Sequence, residues 1–179
     1  MPLHHDPLRA ECLYGRPAID RMIETQAALM NVRYRDSRPL VLSVMTGALV
    51  YAGQLLPHLS FALDLDYVHA TRYDGERSGG TLHWIAQPRE SIAGRSVLLL
   101  DDILDEGITL QAIVDWLETQ GAADIAIAVL TLKEKPVLQP CQPSFPALTV
   151  PDCYVYGFGL DADGLWRNAN GIFVAPDSP

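Results

Sequence analysis

The residues richest in chemistry lie between Val97 and Leu110: Val97-Leu98-Leu99-Leu100-Asp101-Asp102-Ile103-Leu104-Asp105-Glu106-Gly107-Ile108-Thr109-Leu110. An aliphatic run ends in two adjacent carboxylates, and a turn with Gly107 then opens a helix at Thr109. In an open α/β sheet, ligands gather beyond the carboxyl ends of the strands. A helix start presents unpaired N–H groups and the positive end of the dipole, which suits a phosphate. A glycine lets the backbone come close to it. Asp101 and Asp102 suit ribose hydroxyls or Mg2+. Phosphate donors beside diol acceptors describe a pocket for a ribose 5-phosphate. Plainer readings stand beside this one. Carboxylates are common at strand ends, a threonine at a helix start is often a cap, and Asp-Asp with a later Asp also occurs in metal sites. The stretch is neither a Walker loop, which needs Gly-Lys-Ser/Thr, nor a G-x-G-x-x-G fingerprint.

A sheet must hold these residues, and the apolar pattern supplies one. Leu40–Val44, Phe61–His69, Val97–Leu100 and Ile125–Leu132 read as strands. Leu110, Ile113, Val114 and Leu117 recur at i, i+3, i+4 and i+7, a helix ended by Gly121. Ile19, Met22, Ile23 and Met30 predict a helix over 17–32 behind Pro17, and a short helix is expected at about 48–57. Strand, loop (101–109), helix and strand in this order build a parallel sheet with right-handed crossovers. The expectation is one α/β domain over residues 1–179, a mostly parallel sheet flanked by helices. Residues 70–81 are polar and include Gly75, Gly79 and Gly80, so they read as a loop, either a surface hairpin or an active-site lid. Residues 1–16 look irregular, and 136–151, with Pro136, Pro140, Pro143, Pro146 and Pro151, read as a connector. Tyr154–Phe158 is expected to form a last strand before a loop-like tail, 160–179.

With 179 residues and 49% hydrophobic content the chain can bury a core. Lys and Arg total 13 against 22 Asp and Glu, a net charge of −9. That excludes nucleic-acid binding by bulk positive charge. It does not exclude a phosphorylated ligand held by backbone amides and a metal. No apolar run is long enough to span a membrane, and the polar start, with His4, His5 and Asp6, is not a signal-peptide pattern. Cys12, Cys141 and Cys153 are odd in number and make no C-x-x-C pair, which fits a reducing cytoplasm.

Leu98 to Leu110 resembles the phosphoribosyl-pyrophosphate loop of the type I phosphoribosyltransferases: an aliphatic run, two acidic residues, two aliphatics, Asp, Thr, Gly, any residue, Thr. Over about 38–170 the chain resembles the hypoxanthine-guanine members. The resemblance implies a core of about 38–135 and a hood from about 1–35 and 150–179. It implies that Asp101 and Asp102 hold the ribose hydroxyls and that residues 105–109 (Asp105, Glu106, Gly107, Ile108, Thr109) cradle the 5′-phosphate. Met45, Thr46 and Gly47, with a cis peptide between Met45 and Thr46, and Arg167 fall where the family binds pyrophosphate. Lys133 matches the lysine that reaches the purine 6-oxo group, Tyr154 an aromatic that stacks on the base, and Val155 a residue whose backbone reads its edge. Asp161, in the same base-binding segment, matches a carboxylate near Mg2+, so the implied metal set is Asp101, Asp102 and Asp161. Arg72 and Tyr73 open the flap, and Asp105 is the implied catalytic carboxylate, acting at N7.

Two departures stand out. Glu106 replaces the usual threonine, so its side chain is expected to turn from the phosphate. Thr46 and Ile108 stand where lysines occur in other members, so the pyrophosphate end carries less positive charge. The implied reaction joins hypoxanthine or guanine to phosphoribosyl pyrophosphate with Mg2+, in a homodimer or homotetramer. A nucleotide-sensing or RNA-binding regulator and a xanthine-preferring enzyme are the alternatives. Lys133 is a donor and disfavours a 6-amino purine.

Overall fold

The structure, a computed structural model, describes residues 10–72 and 82–175. The chain runs β1 (Cys12–Gly15), α1 (Arg16–Arg33), β2 (Leu40–Val44), α2 (Ala48–Leu55), a 3₁₀ turn (Leu56–His58), β3 (Asp64–Arg72), β4 (Leu82–Ala86), β5 (Ser96–Leu104), α3 (Ile108–Thr119), β6 (Asp124–Lys133), β7 (Phe145–Val150), β8 (Val155–Tyr156) and β9 (Gly171–Val174). A six-stranded sheet has the order β4-β3-β2-β5-β6-β7. Its strands are parallel except β4, which pairs antiparallel with β3.

Alternate residues of the central strands feed two cores, as both faces of a parallel sheet are covered. Val41, Leu98, Leu100, Ala126 and Ala128 pack with Ile19, Ile23, Met30, Tyr51 and Leu55 of α1 and α2. Leu40, Leu42, Leu99, Ile127 and Val129 pack with Leu110, Ile113 and Leu117 of α3. The expected α/β architecture is thus the observed one. A smaller antiparallel sheet, β1-β9-β8, stands apart from it. Tyr14 Oη donates to Thr149 O at 2.6 Å and ties it to the core.

Three segments expected as irregular contain strands. β1 lies in residues 1–16 and β9 in the tail, each gaining its ladder from the other. β7 lies in the proline-rich connector. It is an edge strand, where Pro146 is tolerated because one side of the ladder is open. Pro146 lies opposite Val129 and has no N–H to donate. Buried Gln26 of α1 donates instead, to Val129 O at 3.1 Å and Phe145 O at 2.6 Å, and accepts from Tyr51 Oη. β5 runs to Leu104, so Asp101 and Asp102 belong to a strand rather than a loop. β3 is shifted from the expected 61–69 to Asp64–Arg72. The last expected strand stops at Tyr156, because Gly157, Phe158 and Gly159 all have positive φ and turn the chain.

Candidate active site

Two cavities open at the carboxyl edge of the sheet. The first, of about 270 Å³, is lined by Asp101, Ile103, Asp105, Glu106, Gly107, Ile108, Thr109 and Leu110. Gly107 precedes α3 with φ 75°, in the left-handed region. A Cβ there would lie 2.9 Å from Leu104 Cδ1, so glycine suits the position twice over. No side chain caps the helix, and the first helical bond is Gln111 N–H to Gly107 O. The N–H groups of Ile108, Thr109 and Leu110 therefore have no partner within the helix. They stand at the positive end of a twelve-residue helix, an environment in which an anion would be stabilised.

The second cavity, of about 150 Å³, is lined by Asp102, Ile103, Asp105, Lys133, Tyr154, Val155, Leu160 and Asp161. Ile103 and Asp105 line both cavities, so the two adjoin. Lys133, the last residue of β6, is buried, and its Nζ lies 2.5 Å from Asp105 Oδ2. Lys135 Nζ lies 2.8 Å from Asp105 Oδ1. Burial pushes the Asp105 carboxyl up, but hydrogen bonds and charge from Lys133 and Lys135 outweigh it and hold the group below the usual carboxylate range. Tyr154, just before β8, is 46% exposed at the cavity, while Tyr156 within β8 is fully buried in the hood.

The description "Phosphoribosyl transferase domain" fits residues 13–147 of this chain. The chain belongs to the phosphoribosyltransferase family. It is 30% identical over 93% of its length to the hypoxanthine-guanine-xanthine phosphoribosyltransferase of Tritrichomonas foetus, covering 91% of that protein. It is 29% identical to the hypoxanthine-guanine phosphoribosyltransferase of Bacillus subtilis, covering 87% of each chain. A solved hypoxanthine phosphoribosyltransferase from Staphylococcus aureus superposes with a TM-score of 0.85 at 25% identity, covering 93% of this chain and 91% of that one.

Against this phosphoribosyltransferase frame, most of the expected residues converge. Lys133, Tyr154, Val155 and Asp161 share one cavity, and residues 105–109 share the other. The Met45–Thr46 peptide is cis. A Cβ on Gly47 would fall 2.0 Å from Asp102 Oδ2, and one on Gly159 would fall 2.2 Å from Gly47 O. The turn at 45–47, Asp102 and the loop after β8 are thus in direct contact, which only glycine permits. Arg167 Nη1 donates to Gly159 O at 2.8 Å, and Nη2 pairs with Asp161 Oδ1 at 2.6 Å. Glu106 is exposed and is among the residues that line the first cavity. Arg72 ends β3, paired with Leu82. Tyr73 and the rest of the flap to residue 81 lie outside the described residues.

The structure does not gather the three expected metal carboxylates into one cluster. Among the described residues no three His, Cys, Asp or Glu side chains form a group able to hold a metal. Asp161 faces Arg167 and accepts from Gly164 N–H at 2.7 Å instead of joining Asp101 and Asp102. Asp101 and Asp102 do fit the weaker mode typical of Mg2+, which takes one or two carboxylates plus substrate phosphates. Burial pushes Asp101 well up, and the neighbouring Asp102 adds to it; Asp102 is raised by burial too, against an opposing pull from Asp101 and Arg167. A cation would relieve that cost.

Ile103, Leu160, Thr131, Gly159 and Lys135 were not singled out from sequence. Ile103 sits between Asp102 and Asp105 at strand alternation, a signal that could have marked it as a wall. Thr131 Oγ1 donates to Asp102 O at 2.7 Å, holding the acidic end of β5 against β6. Nothing local marks Lys135, because its partners lie 30 and 17 residues away.

Proposed function

We propose that this chain transfers a phosphoribosyl group from phosphoribosyl pyrophosphate to a 6-oxopurine, hypoxanthine or guanine, yielding a nucleotide and pyrophosphate. The observation that carries this reading is the pair of adjoining cavities. An anion cradle with carboxylates for a diol shares Ile103 and Asp105 with a pocket holding one buried ammonium and one aromatic face. The relatives in Tritrichomonas foetus and Bacillus subtilis, named for this activity, support it.

The cradle at Ile108–Leu110 holds the 5′-phosphate, and Asp101 and Asp102 accept from the ribose hydroxyls. Tyr154 stacks on the base while Lys133 Nζ donates to its 6-oxo oxygen. Asp105 takes up the proton at N7, or balances charge there, as the base attacks C1′ and the bond to pyrophosphate breaks. Holding base and C1′ in line needs no protein nucleophile. The turn at Met45–Gly47 and Arg167 receive the pyrophosphate; Arg167 exchanges its contact with Asp161 for the product. Asp101 and Asp102 would hold Mg2+, which would supply charge neutralisation on the leaving group. In a chain of charge −9 that need is large.

Among the described residues no helix is long and apolar enough to cross a membrane. A cytoplasmic homodimer or homotetramer acting in purine salvage completes the proposal. A relative named for xanthine as well keeps that base as a second substrate. The test is incubation with phosphoribosyl pyrophosphate and each of hypoxanthine, guanine, xanthine and adenine, with Mg2+ or excess chelator. Nucleotide and pyrophosphate should form with the 6-oxopurines and only with Mg2+. Full turnover in chelator, or no transfer to any of the four bases, contradicts it.

A further inference from the structure

Lys135 carries chemistry that the reading above does not use. Its Nζ lies 2.8 Å from Asp105 Oδ1 and 2.6 Å from Asp152 Oδ1, so one ammonium bridges two carboxylates. Asp105 lines the base cavity, and Asp152 lies just outside it, next to a second wall. Asp105 opens the turn after β5, and Asp152 sits two residues before the lining residue Tyr154, in the loop between β7 and β8. The large sheet does not reach this loop, whose far end is held at Tyr154 by Ala175 N–H, donating to Tyr154 O at 2.8 Å beside the small sheet. The β6–β7 ladder ends at Lys133 and Val150, with one further bond from Glu134 N–H to Val150 O at 2.8 Å. Beyond it, residues 151–154 leave regular structure. Lys135 is the first side chain past that ladder to reach across.

We propose that Lys135 is a positioning residue: it ties the turn bearing Asp105 to the loop bearing Tyr154 and so keeps the base cavity formed. The inference rests on the proposed base site and deepens it. In the empty site Asp105 has two cations, Lys133 and Lys135. When Lys133 Nζ turns to the 6-oxo group of a purine, Asp105 keeps only Lys135. Lys135 then stops the carboxylate from following Lys133 and preserves its place beside N7. The bridge is partly screened, with the Lys135 side chain 21% exposed and Asp152 48%. A single exposed pair contributes little, whereas a chain of four charges, Lys133–Asp105–Lys135–Asp152, forms a network in which each contact helps to fix the next.

The role predicts a split between the two halves of the substrate. Lys135→Met should raise KM for guanine, and Kd for guanosine 5′-monophosphate measured by calorimetry, about tenfold, the scale of one lost charge-assisted contact. KM for phosphoribosyl pyrophosphate and Kd for ribose 5-phosphate should stay within about twofold, since the sugar site is untouched, whereas kcat should fall as well, because Asp105 is no longer held beside N7. Lys135→Arg should restore most of the guanine affinity. Asp152→Asn cuts the bridge from the far end, leaves Lys135 on Asp105, and should give a smaller loss of the same kind. A variant that binds guanosine 5′-monophosphate like the parent overturns the proposal. So does an equal loss of nucleotide and ribose 5-phosphate, which marks a general structural defect. If the parent binds ribose 5-phosphate but no purine nucleotide, the base site itself falls, and this inference with it.

Discussion

The two cavities are built in opposite ways. The cavity proposed for the phosphate comes from one unbroken segment, residues 101–110, and the donors proposed for it are backbone N–H groups. Its shape follows from a strand end, one left-handed glycine and a helix start. The base pocket draws on the end of β5, the end of β6, and a loop from Tyr154 to Asp161. Its polarity comes from side chains, chiefly Lys133 against Asp105. The cradle tolerates side-chain change, which is how Glu106 and Ile108 can stand in it. The pocket depends on charges whose partners arrive from distant segments, and one lost partner leaves another charge buried.

The largest expected effect falls on the wall the two cavities share. Asp105→Asn should lower kcat by roughly 10²–10⁴-fold, the range for a general acid–base group. Ribose 5-phosphate should bind as before, since the cradle uses backbone donors. Turnover within a few-fold of the parent would remove Asp105 from the chemistry.

A break confined to the base pocket comes next. Lys133→Met should cost about 2–4 kcal/mol in kcat/KM for guanine, the loss of a charge-assisted hydrogen bond. A solvated ammonium could be removed without loss of stability, but Lys133 is buried and paired with Asp105. The variant should therefore also unfold more easily, by about 1–3 kcal/mol, because a carboxylate loses its buried partner. Denaturant titration reads this directly, and an unchanged midpoint would show the pair to be idle.

Gly107→Ala is the matching break in the cradle. It forces an alanine to φ 75° and against Leu104. The left-handed conformation alone costs about 1–2 kcal/mol. Ribose 5-phosphate and nucleotide should both weaken, by about tenfold, as the N–H groups shift from their common focus. Equal binding by parent and variant would mean the phosphate sits elsewhere.

The smallest effect has the opposite sign. Asp101 has a folded-state pKa above its unfolded value, first through burial and then through Asp102. The folded state therefore holds the proton longer, and stability falls as pH rises from the ordinary carboxylate range through the raised value. Asp101→Asn removes that fall. At neutral pH it should stabilise the free protein by on the order of 1–2 kcal/mol, a rise of about 2–4 °C in Tm for each kcal/mol, while weakening phosphoribosyl pyrophosphate binding. Thermal melts from pH 4 to 8 should show the parent declining more steeply with rising pH than the variant. A less stable variant at pH 7 would mean the pair is not strained.

The same contrast decides what could be read from sequence. The aliphatic strands and the α3 stripe were legible because their signal is local and periodic, and so was the cradle, which is one continuous motif. Single residues of the base pocket were legible only as matches to a family. Taken alone, Lys133 beside Glu134 and Lys135 looks like a solvated strand end, and Tyr154 looks like core. β7 stayed hidden because prolines mask an edge strand whose missing donor Gln26 replaces from α1. β1 and β9 stayed hidden because each is a four-residue strand stabilised by the other. The Lys135 bridge, the Asp161–Arg167 pair and the contact of Gly47 with Gly159 depend on chain reversals that no spacing announces.

The central claim is that a buried ammonium on Asp105 reads the 6-position of a purine. Its most direct test is kcat/KM for guanine against adenine, with saturating phosphoribosyl pyrophosphate and Mg2+. A site built to donate a hydrogen bond rejects a ligand that cannot accept it by up to about 10⁴-fold, because its own polar groups are left unpaired. The account predicts guanine ahead by at least about 10³-fold in the parent, with most of that margin lost in Lys133→Met. Adenine used as well as guanine, or a margin that survives the loss of Lys133, would contradict it.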